Sequence, residues 1–195
     1  MDATASRART WDMACQLQGQ MFVHPDVSGK LQLQLVYFRG YDECKASKWL
    51  DRSSDLLRMM SSVRCLAGQT QIQRVLKHTL AQARSGQVDA LVYVGDSMEE
   101  SVDELGALAG QLRLLQVPML IFQEGYDPAA SFAFKQFATL SAGAHCHLDQ
   151  NSAEQLGELL RAAAIYATAG KSGLEKFART AGSRTRQLLS QLNPD

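Results

Sequence analysis

Apolar positions along this chain fall into two rhythms that alternate from one end to the other. Over residues 10–22, Trp11, Ala14, Cys15 and Phe22 share one face at helical spacing, with Met13, Leu17 and Met21 beside it, and predict an amphipathic helix packed on a sheet. Pro25, Ser28 and Gly29 then signal a turn. From Leu31 to Phe38 the rhythm changes. Leu31, Leu33 and Leu35 alternate with glutamines and merge into Val36-Tyr37-Phe38, the pattern of a strand half exposed at its start and buried at its end. Arg39-Gly40-Tyr41-Asp42 breaks it, and a helix is expected over 54–63.

The alternation continues downstream. Thr70 and Gln73 have the spacing of a capping box, ahead of Ile72, Val75, Leu76, Thr79, Leu80 and Ala83 at helical period and a stop near Ser85-Gly86. Ala90 to Gly95 is a buried strand ending at Asp96. Ser97 and Glu100 offer a second capping box before Val102, Leu105, Leu108, Ala109 and Leu112. Val117 to Phe122 is the next strand, with Pro118 at its start, where a missing N–H is tolerated. Asp127-Pro128 supplies an N-cap and a first-turn proline for a helix toward Leu140. A short strand from Ala144 to Leu148 precedes a last helix, capped at Asn151 or Ser152 and running to about Tyr166. Helices alternating with continuous apolar strands imply an α/β fold: a doubly wound, mostly parallel, Rossmann-like sheet with helices on both faces. Such a sheet binds ligands outside the carboxyl ends of its strands, where the winding reverses.

Composition narrows the function. The chain has 195 residues, enough for one domain with a substantial core, and 20 Lys plus Arg balance 20 Asp plus Glu. That balance gives no sign of a nucleic-acid surface. A basic bias after Gly170 (Lys171, Lys176, Arg179, Arg184, Arg186) reads as a solvated helical or flexible tail over 170–195, following a domain over 1–169. No apolar run approaches the ~20 residues that span a bilayer and no signal-peptide pattern opens the chain, so the expectation is a cytoplasmic protein without membrane contact. Cys15, Cys44, Cys65 and Cys146 form no C-x-x-C pair and are expected to be reduced, Cys15 as a buried small hydrophobe. His145 and His147 fall on one side of a strand, but two histidines lack the third ligand zinc requires.

The candidate chemistry lies at Asp2-Ala3-Thr4-Ala5-Ser6, where one carboxylate and two hydroxyls at i, i+2 and i+4 form an oxygen cluster suited to a hard divalent cation. Thr70 follows the glycine-bearing loop Gly68-Gln69, and Asp96 ends an apolar strand. This ordered set resembles the metal-ion-dependent adhesion site (MIDAS) of von Willebrand factor A (vWA) domains, found in integrin I domains and many bacterial proteins. Thr4 stands where Ser is usual and Ala5 where Gly is common. The resemblance implies a vWA-like three-layer sandwich, with residues 43–50 as one antiparallel edge strand. It further implies Asp2, Thr4, Ser6, Thr70 and Asp96 as ligands of Mg²⁺ or Mn²⁺, directly or through water. An acidic residue of a protein partner would complete the coordination, within a larger assembly or beside an ATPase. In that fold a buried strand of about five to six apolar residues leads into the first Asp. Here only Met1 does. The expectation is an amino-terminally shortened chain, a bacterial vWA-like protein lacking its first strand.

Two other readings use the same residues. A Mg²⁺-dependent phosphatase or hydrolase, similar to the haloacid-dehalogenase class, would use Asp2 as nucleophile but needs a second Asp where Thr4 stands. A scaffold with a lapsed ion site would retain only the fold. The expected role is therefore a binding module and not an enzyme. Glu99 and Glu100 are expected to favour a helix N-terminus or to sit behind the ion, Asp42, Glu43 and Lys45 to shape the rim, and Glu124 and Asp127 to cap or solvate a loop.

Overall fold

The computed structural model describes residues 1–22, 27, 30–149 and 153–192. The turn expected at Pro25, Ser28 and Gly29 and the cap at Asn151 or Ser152 lie outside these residues. The strands are β1 (Val36–Arg39), β2 (Glu43–Ala46), β3 (Leu91–Gly95), β4 (Met119–Glu124) and β5 (Ala144–Leu148). The helices are α1 (Ala8–Leu17), α2 (Ser53–Ser62), α3 (Ile72–Ala83), α4 (Val102–Leu114), α5 (Pro128–Leu140), α6 (Ala153–Ala178) and α7 (Ser183–Gln191). Single 3₁₀ turns at Ala5–Arg7 and Gln18–Phe22 flank α1. The expected helix over 10–22 is thus shorter at its end and tighter. Gly19 in its last turn adds no side chain and the full backbone entropy of ordering.

β3, β4 and β5 form a parallel sheet in that order, and β1 pairs antiparallel with β2. Residues 1–4 join the two pieces. Asp2 N–H donates to Val94 O at 3.1 Å, while Ala3 N–H donates to Phe38 O and Phe38 N–H to Met1 O at 2.9 and 3.3 Å. Asp2 pairs parallel with Phe38, and Thr4 with Leu66. The order across the molecule is therefore β2, β1, residues 1–4, β3, β4, β5. Winding runs outward in both directions from residues 1–4, which makes this a doubly wound sheet whose reversal lies between Asp2 and β3.

Strand alternation separates two cores. Val94, Leu120, Phe122, Cys146 and Leu148 pack on one face with α1, α2, α6 and α7. Tyr93, Met119, Ile121 and Phe38 pack on the other with α3, α4 and α5. All six residues of β4 are buried, as expected for a strand covered on both faces.

Several boundaries differ from the sequence reading. The ladder of β1 begins at Val36 and not Leu31, because Ser47 takes over ahead of it: its Oγ accepts Leu35 N–H and its main-chain O accepts from Gln34 Nε2. Leu33 and Leu50 are linked only by an isolated antiparallel bridge. Neither expected capping box forms. Helix α3 starts at Gln71 without a side-chain cap of its own, and α4 is capped by Ser101, whose Oγ accepts Glu104 N–H at 3.4 Å. Asp127 does cap α5, accepting Ala130 N–H at 2.6 Å ahead of Pro128.

The last expected helix runs on past Tyr166 to Ala178, broken at Gly170 (φ 63°). Beyond the break Leu174 and Leu188 are fully buried, so apolar stripes carry the chain back into the core. The side-chain amide of Gln191 meets the outer edge of β5, accepting His145 N–H at 2.8 Å and donating to His145 O at 2.9 Å. This covers a sheet edge that would otherwise present unpaired main chain. Among the described residues no helix is long and apolar enough to cross a membrane.

Candidate metal centre

The amino-terminal cluster turns out of the sheet seam. Asp2 is fully buried. Its Oδ1 accepts Thr4 N–H at 2.8 Å, a short Asx-type turn that holds the carboxylate against the loop. Its Oδ2 is buried without a hydrogen-bond partner. Thr4 Oγ1 and Ser6 Oγ lie 3.2 Å apart, so both hydroxyls face one point, with Thr4 buried and Ser6 exposed. The cluster therefore grades from dry to wet within five residues.

Burial raises the Asp2 carboxyl above its usual range, an effect to which the neighbouring Asp96 charge adds, while the Thr4 hydrogen bonds and Arg7 counter it. Asp96 follows β3, half-buried, with Ser97 Oγ donating to its Oδ1 at 3.5 Å. Because Asp2 N–H pairs with Val94 O, Asp2 lies beside the carboxyl end of β3, which Asp96 follows.

Thr70 is positioned by a close contact between two glycines. A side chain on Gly68 would meet Gly40 O at 2.0 Å, and Gly40 itself has φ 58°. Gln69 N–H donates to Gly40 O at 3.2 Å. This packs the loop before Thr70 onto the turn after β1. The Thr70 hydroxyl is already engaged. Its Oγ1 and its N–H both donate to Glu99 Oε2, at 2.9 and 3.0 Å, and Glu99 N–H donates back to Oγ1 at 3.2 Å. Beside it the Glu100 carboxylate accepts Ile72 N–H at 2.6 Å and Gln73 N–H at 2.8 Å. Glu99 and Glu100 thus serve the N-terminus of α3, across the site, and not that of the helix that follows them. The capping function assigned by spacing to Thr70 and Gln73 belongs to Glu100.

Four of the five expected ligands are therefore gathered at or beside the winding reversal, and the fifth, Thr70, is clasped by Glu99. Sequence reasoning missed a further charged pair. Arg7, one residue after the motif and almost wholly buried, forms an ion pair through Nη1 with Glu124 at the end of β4. Its Nε and Nη2 find no other partner. Glu124 is thus a core counter-ion and not a loop residue. The only hint in the sequence was an Arg on the inward period of an amphipathic turn, which local spacing does not distinguish from a surface charge.

His145 and His147 do share a face, in edge-to-face contact at 4.7 Å, with Cys146 buried on the opposite side. His145 Nε2 pairs with Gln123 Oε1 at 2.8 Å and His147 Nδ1 with Gly125 O at 3.2 Å, so one nitrogen of each ring is engaged within the fold. All four cysteines are free thiols. Among the described residues no three His, Cys, Asp or Glu side chains gather as a metal-binding group. The oxygen cluster at the winding reversal has two carboxylates and draws otherwise on hydroxyls.

No family model matches the chain, and no curated protein does. Among solved structures it is similar to proximal thread matrix protein 1 from the mussel byssus, with 18% identity and a TM-score of 0.64 over 86% of this chain. The match covers 46% of that protein, so this chain spans under half its length. At that identity the likeness shows the fold alone: an α/β, vWA-like sandwich.

Proposed function

We propose that this protein is a metal-ion-dependent protein-binding module. In this reading Asp2, Thr4, Ser6, Thr70 and Asp96 hold Mg²⁺ or Mn²⁺, and the ion accepts a carboxylate from a partner protein. The observation that carries the reading is the buried Asp2 Oδ2 without a partner. An unpaired buried carboxylate oxygen costs several kcal/mol, and a cation beside it would remove that cost. The neighbouring oxygens suit a hard ion, which prefers oxygen ligands and keeps some of its water. With two carboxylates and neutral hydroxyls around it, such an ion stays electron-poor enough to anchor an acidic side chain. It acts as an anchor and not as a reagent, so the protein is no enzyme. The partner belongs to a larger assembly, such as one built around an ATPase, in a cytoplasmic setting, and neither nucleic acid nor membrane is bound.

The carboxyl shift gives this reading a second signature. A carboxyl raised in the fold binds more protons folded than unfolded, so the ion-free protein loses stability as pH rises above 3.8 through its folded value. Ion binding to the carboxylate releases that proton and offsets the loss. Calorimetric titration of Mg²⁺ and Mn²⁺ in buffers of different ionisation enthalpy measures both effects. We expect binding, with proton release growing as the titration pH is lowered, weakened by roughly a hundredfold in Asp96→Ala and at least tenfold in Thr70→Ala, with cooperative melts retained. A folded protein that takes up neither ion, or mutants that bind as well as the parent, would sink the proposal.

A further inference from the structure

Tyr93 is 1% exposed, yet its hydroxyl has no partner in the protein. A buried tyrosine ordinarily finds one. The ring lies along its own strand, because a side chain on Gly95, two residues on, would meet Tyr93 Oη at 2.5 Å and its ring carbons at 2.8 Å. The glycine thus leaves the hydroxyl room to reach the carboxyl end of β3. Phe134 packs on the ring edge to face at 5.5 Å. A phenylalanine at position 93 would fill the same apolar space, so packing gives the hydroxyl no task.

Asp2 meets it from the neighbouring segment. Asp2 N–H donates to Val94 O, and Asp2 pairs with Phe38, which belongs to the same core as Tyr93. Ala3 belongs to the opposite core, with Val94. By alternation the Asp2 side chain therefore shares a face with Tyr93. Burial raises the Tyr93 hydroxyl well above its ordinary range, and among the charges Asp2 acts on it most, ahead of Arg7, Asp96 and Glu100. Two buried oxygens, Asp2 Oδ2 and Tyr93 Oη, thus stand at the candidate centre without hydrogen-bond partners, and they do not bond one another.

We propose that Tyr93 makes the candidate centre selective for a small, water-retaining cation, its hydroxyl holding a water molecule that stays on the ion. The inference rests on the ion-binding reading and narrows it from hard divalent cations to those that behave like Mg²⁺. Such an ion demands near-octahedral geometry at ~2.0–2.1 Å and gives up its water reluctantly, whereas Ca²⁺ takes about six to eight oxygens at ~2.3–2.6 Å in flexible geometry. A fixed outer hydroxyl favours the first, because it bonds a water whose place the coordination geometry sets. It offers Ca²⁺ little, since Ca²⁺ draws more protein oxygens directly into its shell. Outer groups of this kind are worth ~10–100-fold in metal affinity.

The test titrates Mg²⁺, Mn²⁺ and Ca²⁺ separately into the whole chain and into Tyr93→Phe, with thermal melts of both in the ion-free state. We expect the parent to bind Mg²⁺ roughly tenfold or more tightly than Ca²⁺, and Tyr93→Phe to lose roughly tenfold for Mg²⁺ and Mn²⁺ while binding Ca²⁺ as before. Its ion-free melting midpoint should not fall, since no bond within the protein is lost. A parent that does not prefer Mg²⁺, equal losses for Mg²⁺ and Ca²⁺, no loss for either, or an ion-free midpoint lowered by several degrees would each overturn the proposal while leaving ion binding itself in place. A folded parent that binds none of the three ions would overturn both readings.

Discussion

The two halves of the sheet are built to different standards. On the side of β3, β4 and β5 the ladder is continuous, both faces are covered, and the outer edge is closed by Gln191. On the side of β1 and β2 the hairpin reaches the rest of the sheet through the main chain of residues 1–4. The candidate site lies on the seam. Asp2 Oδ2 is left without a partner where the two halves meet, while on β5 His145 Nε2 and His147 Nδ1 are each paired within the fold. Function is to be sought where the ladder is least complete, since fully paired polar groups have nothing left to bind with.

The largest test of this contrast is the Arg7–Glu124 ion pair, a side-chain link across the seam. Arg7→Met should cost about 3–5 kcal/mol, because it leaves Glu124 as an uncompensated buried charge. Adding Glu124→Gln should recover much of that loss in denaturant unfolding. If Arg7→Met is neutral, the seam is not held by this pair.

A smaller effect is expected within the complete half. Burial lowers the His145 pKa to about 4 from 6.5, with His147 adding to the shift. The unfolded state therefore binds the extra proton first. Stability should be full above pH 6.5 and fall by ~3 kcal/mol as pH drops toward 4. His145→Gln should flatten this part of the pH profile, and an unchanged slope would place the acid sensitivity elsewhere.

The smallest contrast separates two candidate caps only four residues apart. Ser101→Ala should cost ~1 kcal/mol through loss of the α4 cap, whereas Ser97→Ala should cost under ~0.5 kcal/mol. The reverse order would restore the sequence-based boundary.

Much of the fold was legible because it rests on local physics. Period-two and period-3.6 patterns located β3 to β5 and most helices, and the Asp127-Pro128 start of α5 follows from one side chain and one ring. The misassigned caps show the limit of local reading. Thr70-x-x-Gln73 and Ser97-x-x-Glu100 have the right spacing, but Glu100 reaches the N-terminus of α3 from 28 residues away and displaces both. Such a competitor is invisible to a local window. Arg7 and Glu124 escaped for the same reason, since a buried charge is recognised only with its counter-ion in place.

The sequence by itself determined which segments are apolar on which face, and hence an α/β sheet covered on both sides, and it placed the oxygen-bearing side chains from which the candidate centre is proposed. Tertiary structure alone decided that Asp2 lies beside β3 with one oxygen unsatisfied and that Glu99 clasps Thr70. Both outcomes depend on contacts between residues far apart in the chain. Periodicity records how each segment divides between core and solvent, not which segment will arrive beside it.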